Sequence, residues 1–309
     1  MKLIFLGTPE FAVPTLEALV SAGHNILEVV TQPDRPKGRH QTLTPSPVKQ
    51  AALRHNLKVF QPERIRHADS VAHLRALAPD AMVIVGYGQI IPQSIIDIAP
   101  LGVINLHASL LPELRGAAPI QWSIARGHEK TGVTTMRIDS GLDTGDIAMK
   151  WETPVDPNET APELSPRLAS AGADLLLQTL IGLANETVKP VPQNSSLATW
   201  APILKKEDGR IDWTLPAQTI HNLIRGLQPW PGAFTMFRGQ SLHLWRSRLV
   251  ATKWKLAPGA LVQDEGVFAV AGDGSALQLL ELQLEGRKRM PAEVFANGHR
   301  ITTTEQLGK

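Results

Sequence analysis

Short apolar runs alternate with helical patterns in the first third of the 309 residues, and this alternation restricts the fold more than any other feature. The apolar runs cover residues 2–6, 26–31, 81–85 and 103–106, and the helical patterns cover residues 13–22, 48–55 and 69–77. Nearly continuous apolar runs are typical of parallel strands buried on both faces. The sequence therefore predicts an α/β fold, a Rossmann-like doubly wound parallel sheet with its site at the carboxyl ends of the strands.

The pattern changes after Trp151. A long helix is predicted over residues 162–184, and the polar, Pro-rich stretch 187–196 is typical of an interdomain linker. Short runs between Gly-containing turns then recur at residues 241–245, 259–262, 267–271 and 276–282, which predicts a small OB-like antiparallel β-barrel. We therefore expect an N-terminal domain over residues 1–188, a linker over 189–206 and a C-terminal domain over 207–309, which a cut near Pro190 should separate.

The composition excludes several kinds of chemistry. The chain has no Cys, so it has no disulfides, thiolate nucleophiles or Cys-ligated metal sites. Its His residues have no HxxxH or HExxH spacing, and no metal is expected. Because no signal sequence and no apolar run of roughly 18 residues is found, we expect a cytoplasmic protein that does not associate with membranes. The tryptophans of the C-terminal part are expected in its core rather than on its surface as stacking platforms; they are Trp200, Trp213, Trp230, Trp245 and Trp254.

Positive charge is unevenly distributed. From Lys205 to the end the chain carries 14 Lys and Arg against 10 Asp and Glu, whereas the preceding residues carry 17 against 19. A second basic stretch, residues 34–49, contains Arg35, Lys37, Arg39 and Lys49 beside one acid. Ordinary surface charge explains either feature alone equally well, but together they indicate a polyanionic partner.

The turn after the first apolar run begins with Gly7 and resembles a dinucleotide-binding turn only in part. The G-x-G-x-x-G pattern is missing, Pro9 lies where a phosphate would approach, and no acidic residue ends the second strand. A plain turn from strand to helix accounts for Gly7. A nicotinamide-dependent oxidoreductase therefore remains only a less favoured alternative.

Two polar side chains end an otherwise apolar strand. Asn105 and His107 are two residues apart, so they lie on one face at the carboxyl edge of the sheet. Asp143 lies in a second loop, between Gly141 and Gly145. Packed polar residues and an ordinary Asx turn are the structural alternatives. For the Asn–His pair beside a Gly- and Pro-containing loop, function is the favoured interpretation.

The segment HASLLPELRG at residues 107–116 resembles the folate-binding signature of the 10-formyltetrahydrofolate-dependent transferases. Asn105, His107 and Asp143 match the catalytic triad of that family. The resemblance implies 10-formyltetrahydrofolate as co-substrate and no metal. It also implies folate binding by two segments, which are Ser109, Leu110, Leu111 and Pro112 in the loop and Gly86, Tyr87, Gly88 and Gln89 in the turn after the third apolar run.

Further segments, at residues 5–19, 31–49, 204–213 and 228–234, are similar to the methionyl-tRNA formyltransferases, and the resemblance covers essentially the whole chain. It implies a monomer that formylates methionyl initiator tRNA. The residues expected to bind RNA are Arg35, Lys37, Arg39, Lys205, Lys206, Arg246, Arg248, Arg287 and Lys288. A formyltransferase acting on a nucleotide-sugar amine is the alternative within the class, and a non-catalytic RNA-binding protein is one outside it.

The triad suits transfer of a formyl group to an amine. Asn105 can donate a hydrogen bond to the oxygen that becomes negative, and His107 can carry a proton from the attacking nitrogen to the leaving one. Asp143 would fix the tautomer of His107 and stabilise the imidazolium. Residues 32–48 lack an apolar period, so we expect them to be mobile until RNA orders them.

Overall fold

The computed structural model describes residues 1–37, 42–302 and 305–308. Two compact units are present. The N-terminal unit consists of Met1–Gly116, Thr131–Thr153 and Ser165–Trp200, and the C-terminal unit consists of Ala117–Lys130, Pro154–Leu164 and Ala201–Lys309. Within the described ranges, no helix combines the length and the apolar composition needed to cross a membrane.

A seven-stranded sheet forms the centre of the N-terminal unit, in the order β5-β2-β1-β6-β7-β8-β9. Its strands are β1 (Lys2–Gly7), β2 (Asn25–Val30), β5 (Val59–Phe60), β6 (Ala81–Val85), β7 (Val103–His107), β8 (Lys130–Arg137) and β9 (Ile147–Pro154). β1 is parallel to both of its neighbours, β2 and β6, and β7 is parallel to β6 but antiparallel to β8. The chain moves outward from β1 to β2 and then returns to β6, which is the strand order of a doubly wound sheet.

Helices of this unit connect its strands, and they are α1 (Val13–Ser21), α2 (Pro47–Arg54), α3 (Ala68–Ala76) and α4 (Gln93–Ile96). A further helix, α6 (Ala161–Ala184), follows the last strand, β9. The predicted helices agree with α1, α2, α3 and α6 to within one residue at each end. At α2 the sequence supplies a complete start signal, because the Ser46 side chain accepts a hydrogen bond from the Lys49 backbone and Pro47 occupies the first turn.

The basic segment after β2 contains a short hairpin. Strand β3 (Arg35–Lys37) pairs antiparallel with β4 (Thr42–Thr44). The missing apolar period did not predict these two strands, and the expected mobility of residues 32–48 before RNA binds stays a prediction. Arg39 lies outside the described residues.

Polar contacts, rather than apolar burial, hold the two ends of this segment. The Asp34 carboxylate accepts hydrogen bonds from Lys49 Nζ at 2.6 Å and from Gln61 Nε2 at 2.7 Å. These hydrogen bonds lower the pKa of Asp34 below its ordinary value. Thr31 and Ser46 share a hydrogen bond of 2.7 Å between their hydroxyls. The pattern of apolar residues does not reveal such polar contacts.

An antiparallel sheet of six strands forms the C-terminal unit, in the order β10-β11-β14-β13-β12, with β15 paired to β14. The strands are β10 (Ala233–Phe237), β11 (Gln240–Lys253), β12 (Leu261–Gln263), β13 (Val267–Val270), β14 (Ser275–Leu284) and β15 (Met290–Pro291). The helices are α5 (Pro119–Ala125), α7 (Ala217–Gly226) and α8 (Ala292–His299). Side chains of α7 and α8 such as Ile220 and Phe295 share one core with the sheet.

The five tryptophans expected in the core differ in burial. Trp213 is 5% exposed and belongs to the core, as expected. Trp245 and Trp254 are partly buried, and their rings contact those of His243 and Phe268 respectively. The expectation of burial is wrong for Trp200 and Trp230, which are 54% and 55% exposed. Trp230 belongs to a Pro-rich turn, outside the apolar faces of the strands.

Candidate active site

The central strand β7 presents the first two candidate residues. Asn105 and His107 are 8% and 6% exposed, and β6 and β8 flank the strand on either side. The Asn105 side chain forms no hydrogen bond with any residue that the structure describes. A buried amide without a partner is unusual, and it is available to a ligand.

The His107 ring is held by a backbone carbonyl. His107 Nε2 lies 3.0 Å from the Leu114 carbonyl oxygen, which can only accept, so Nε2 carries the proton. In the neutral ring Nδ1 is then the basic nitrogen, and it lies 3.7 Å from Asp143 Oδ2. The sequence interpretation gave the choice of tautomer to Asp143, whereas in the structure the Leu114 carbonyl makes that contact.

Asp143 reaches across to the loop that follows β7. Its Oδ2 accepts a hydrogen bond of 2.9 Å from the Gly116 backbone N–H. Its backbone φ is +54°, in the left-handed region that Asp tolerates better than most residues. The Asx-type turn nearby belongs instead to Asp139, whose carboxylate accepts from the Gly141 backbone. The Asp143 carboxylate therefore does not form the Asx turn that the surrounding sequence suggests.

Hydrogen bonds of Ser109 hold the loop at residues 107–116 in place. The Ser109 hydroxyl donates to the Glu113 carbonyl, and the Ser109 carbonyl accepts from the Thr134 hydroxyl. Ser109 and Leu111 are fully buried, while Leu110 and Pro112 are partly exposed. Of the four loop residues expected to bind folate, Leu110 and Pro112 therefore offer side-chain surface.

The turn at residues 86–89 is anchored in a similar way. Gly86 and Gly88 have φ of +58° and +88°, which a residue with a side chain rarely adopts. The Tyr87 ring is 2% exposed in the core of the N-terminal unit, and burial raises its pKa. Gln89 Oε1 accepts from the Ile65 backbone at 2.8 Å. The surface left for a ligand is the glycine backbone and Ile90, which is 89% exposed.

Ile90 is a residue that sequence reasoning missed, and Leu142, which is 59% exposed beside Asp143, is another. A large apolar side chain within a polar turn is the signal that could have found both. Leu114, whose carbonyl contacts His107, was missed as well, and no local pattern identifies it. Among the described residues, no group of three His, Asp or Glu is arranged to hold a metal ion.

The residues expected to bind RNA differ in their availability. Arg35 is exposed in the N-terminal unit, and Lys37 belongs to β3. In the C-terminal unit Lys205, Lys206, Arg287 and Lys288 are exposed. Arg246 is paired with Glu163 at 2.8 Å, and Arg248 donates to Gln278 at 2.6 Å.

Two family matches define the class. Residues 1–180 match the family described as Formyl transferase, and residues 203–300 match the family described as Formyl transferase, C-terminal domain. The chain belongs to the formyl transferase family, and its two units have the fold of that family. The predicted enzyme class and fold class are thereby confirmed.

Full-length relatives narrow the class to one family. The chain is 61% identical to the methionyl-tRNA formyltransferase of Solibacter usitatus and 56% identical to that of Koribacter versatilis, over 100% of this chain and 99% of each relative. The chain belongs to the methionyl-tRNA formyltransferase family. Among solved structures, WlaRD, a sugar 3N-formyl transferase, has a TM-score of 0.69 and 20% identity over 93% of this chain and 99% of its own, a likeness of fold alone.

Proposed function

We propose that this protein transfers the formyl group of 10-formyltetrahydrofolate to the amino group of methionine esterified to initiator tRNA. The observation that carries the proposal is the pairing of His107 Nδ1 with the Asp143 carboxylate at 3.7 Å, at the end of the strand that also carries the unpartnered Asn105 amide. The names of the full-length relatives support the acceptor.

The first demand of the reaction is to stabilise charge. The methionine nitrogen forms a bond to the formyl carbon, and the formyl oxygen becomes negative. Asn105 donates its free N–H to that oxygen, and because the amide has no protein partner, it breaks no hydrogen bond to do so. A single donor of this kind lowers the free-energy barrier of the reaction by on the order of 3 kcal/mol.

The second demand is to move a proton. The attacking nitrogen must lose one, and the folate nitrogen must gain one as its bond to the formyl carbon breaks. His107 Nδ1 accepts and returns that proton, while the Leu114 carbonyl keeps Nε2 protonated. The Asp143 carboxylate, 3.7 Å from Nδ1, stabilises the positive ring between these two steps.

Apolar surface beside the site suits the flat ring system of a folate. Leu110 and Pro112 are partly exposed in one loop, and Ile90 is exposed after β6. The exposed backbone at Gly86 and Gly88 offers polar groups to the edge of such a ring. Supporting this co-substrate, the structure of the relative WlaRD is described as being in the presence of 5-N-Formyl-THF.

RNA binding is assigned to the exposed basic residues, and the division of labour proposed is catalysis by the N-terminal unit and most of the RNA contacts by the C-terminal unit, which begins its last segment at Ala201. Phosphate contacts favour exposed cations without acidic partners, so Lys205, Lys206, Arg287 and Lys288 are better placed than Arg246. We propose that the protein works as a monomer in the cytoplasm.

The direct test is incubation with 10-formyltetrahydrofolate and methionyl initiator tRNA, followed by release and detection of N-formylmethionine. The expected product forms only when both substrates are present. The acceptor assignment fails if tRNA is not formylated by a preparation that formylates a nucleotide-sugar amine. Formylation of neither acceptor by folded protein removes the proposed function altogether.

A further inference from the structure

Residues 191–200 look like a linker in the sequence but are fixed at both ends within the N-terminal unit. Val191 and Ile147 exchange two backbone hydrogen bonds of 2.9 Å. At the other end, the Arg115 N–H donates to the Thr199 carbonyl at 2.9 Å. We call residues 191–200 the strap. It is mostly exposed, so apolar burial does not explain why it follows this path.

One side chain of the strap joins the two loops that carry the candidate active site. Gln193 Nε2 donates to the carbonyls of Asp143 and Gly145, both at 2.8 Å. Its Oε1 accepts from Arg115 Nε at 3.1 Å and Nη2 at 2.7 Å. Both amide hydrogens and the amide oxygen are therefore used. Arg115 is 3% exposed, and Gln193 is its only side-chain partner among the described residues.

A second side chain of the strap supports His107 through one intermediate residue. Thr199 Oγ1 accepts from the Leu114 N–H at 2.8 Å. Leu114 has a backbone φ of +60°, which is rare for a bulky residue and persists only where its surroundings impose it. The Leu114 carbonyl is the acceptor for His107 Nε2. Thr199 thus holds the strained residue that selects the tautomer of His107.

We propose that Gln193 and Thr199 are positioning residues for the transfer reaction, the first through the backbone of Asp143 and the second through Leu114. This inference rests on the proposed function. Neither residue contacts a reacting atom. The strap holds the loop that follows β7 and the loop that carries Asp143 in fixed positions, so that His107 Nδ1 faces the Asp143 carboxylate.

Four variants test the assignment, with Ser195→Ala as a matched control in the exposed part of the strap. Gln193→Met keeps the length of the side chain but removes every polar contact. Gln193→Glu keeps an acceptor for Arg115 and places oxygen against the two carbonyls. Thr199→Val removes the hydroxyl at constant shape, and Thr199→Ser retains it.

We expect kcat to fall roughly 10- to 100-fold in Gln193→Met, Gln193→Glu and Thr199→Val, because misplacement of catalytic groups by about 1 Å has effects of that size. KM for tRNA and for the formyl donor should change less than about twofold, since no binding contact is lost. Thr199→Ser and Ser195→Ala should retain wild-type kcat. A KM change without a kcat change, or Thr199→Ser as slow as Thr199→Val, overturns the inference.

A second readout needs no acceptor. The ¹⁵N shifts of the His107 ring should report a proton on Nε2 in the wild type, and they should report mixed tautomers in Thr199→Val. Thermal unfolding of each variant identifies any that fail to fold. Inactive wild-type protein counts against the proposed function, whereas an unchanged His107 spectrum in folded Thr199→Val counts against the role of the strap.

Discussion

At the scale of single residues, Asn105 and Asn222 are two asparagines of nearly equal burial in opposite situations. Both are less than 10% exposed, but Asn222 Oδ1 accepts hydrogen bonds from Arg225 and Gln218, whereas Asn105 has no partner among the described residues. Because the Asn105 amide has no partner within the described protein, the proposed function gives it one in the substrate.

Asn105→Ala should therefore lower kcat by about 100-fold or more while leaving the free energy of unfolding unchanged or slightly raised. Asn222→Ala is the matched control. It should lower the free energy of unfolding by about 1–3 kcal/mol, because it leaves Arg225 donors unpaired. Steady-state kinetics and denaturant unfolding of both variants make the comparison. Transfer by Asn105→Ala within a factor of about three of wild type would assign Asn105 to structure instead.

His107 and Asp143 should affect the barrier rather than substrate binding. His107→Ala should abolish transfer. Asp143→Asn keeps an oxygen for the Gly116 N–H but loses the charge, so it should lower kcat roughly 100-fold or more. Affinity for tRNA should stay within about threefold of wild type in both. Measuring single-turnover rates beside tRNA binding separates the two effects, and a variant that loses affinity alone contradicts the roles.

A histidine remote from the candidate site should govern part of the pH dependence of stability. His221 is 2% exposed, and burial lowers its pKa below the ordinary value of 6.5, with Arg225 adding to the effect. The unfolded chain takes up the proton first, so stability is complete above pH 6.5 and is lost as the pH falls.

The test compares unfolding free energies of the wild type and His221→Gln between about pH 5 and 7. The decline of stability at low pH should be shallower in His221→Gln. Some decline should remain, since burial also lowers the pKa of His243. An identical slope in both proteins would show that His221 does not contribute.

The sequence placed Asn105 and His107 correctly on one face because a period of two needs only the strand. It did not find the partners of His107 and Asp143. These are Leu114 and Gly116, and the contacts depend on left-handed backbone at Leu114 and at Asp143. Neither residue type signals that conformation as glycine does, so only the folded loops reveal it.

At the scale of elements, prediction succeeded where strands are apolar and failed where they are not. β6 and β7 are buried along their whole length and were found. β8 is buried over most of its length but contains Thr131, Thr134 and Thr135. The hydroxyl of Thr135 meets that of Thr179 on α6 at 2.7 Å, and Thr134 donates to a loop carbonyl. The Thr134 and Thr135 hydroxyls find their partners only in the fold, so this buried strand looks polar in the sequence.

The contact of α6 with β7 gives a prediction at this scale. A Cβ atom at Gly172 would lie 2.7 Å from a methyl of Leu106, the residue between Asn105 and His107. Gly172→Val should therefore lower stability by about 1–3 kcal/mol and reduce kcat as β7 shifts. Ser170→Val, at an exposed position of the same helix, controls for the helix propensity of valine. Equal stability losses in the two variants would mean that the close approach is unimportant.

At the scale of the whole molecule, the chain does not divide at a single point. The C-terminal unit contains Ala117–Lys130 and Pro154–Leu164 from the first half of the sequence. Trp122 Nε1 donates to the Pro202 carbonyl, and Arg225 Nη1 donates to the carbonyls of Asp156 and Glu159. These contacts join residues far apart in sequence, and local patterns carry no sign of them. They change what a cut near Pro190 should do.

A cut within the exposed turn Ser195–Leu197 should leave two pieces that do not separate. The first piece keeps Ala117–Lys130 and Pro154–Leu164, while the second keeps the sheet and α7, so each holds part of one unit. We expect an inserted protease site, once cleaved, to give fragments that elute together in native gel filtration and apart in denaturant. Transfer should fall although the fragments stay bound, because Gln193 and Thr199 then lie on different pieces. The uncleaved insertion serves as the control. Fragments that elute separately, with residues 197–309 unfolding cooperatively on their own, would contradict this account.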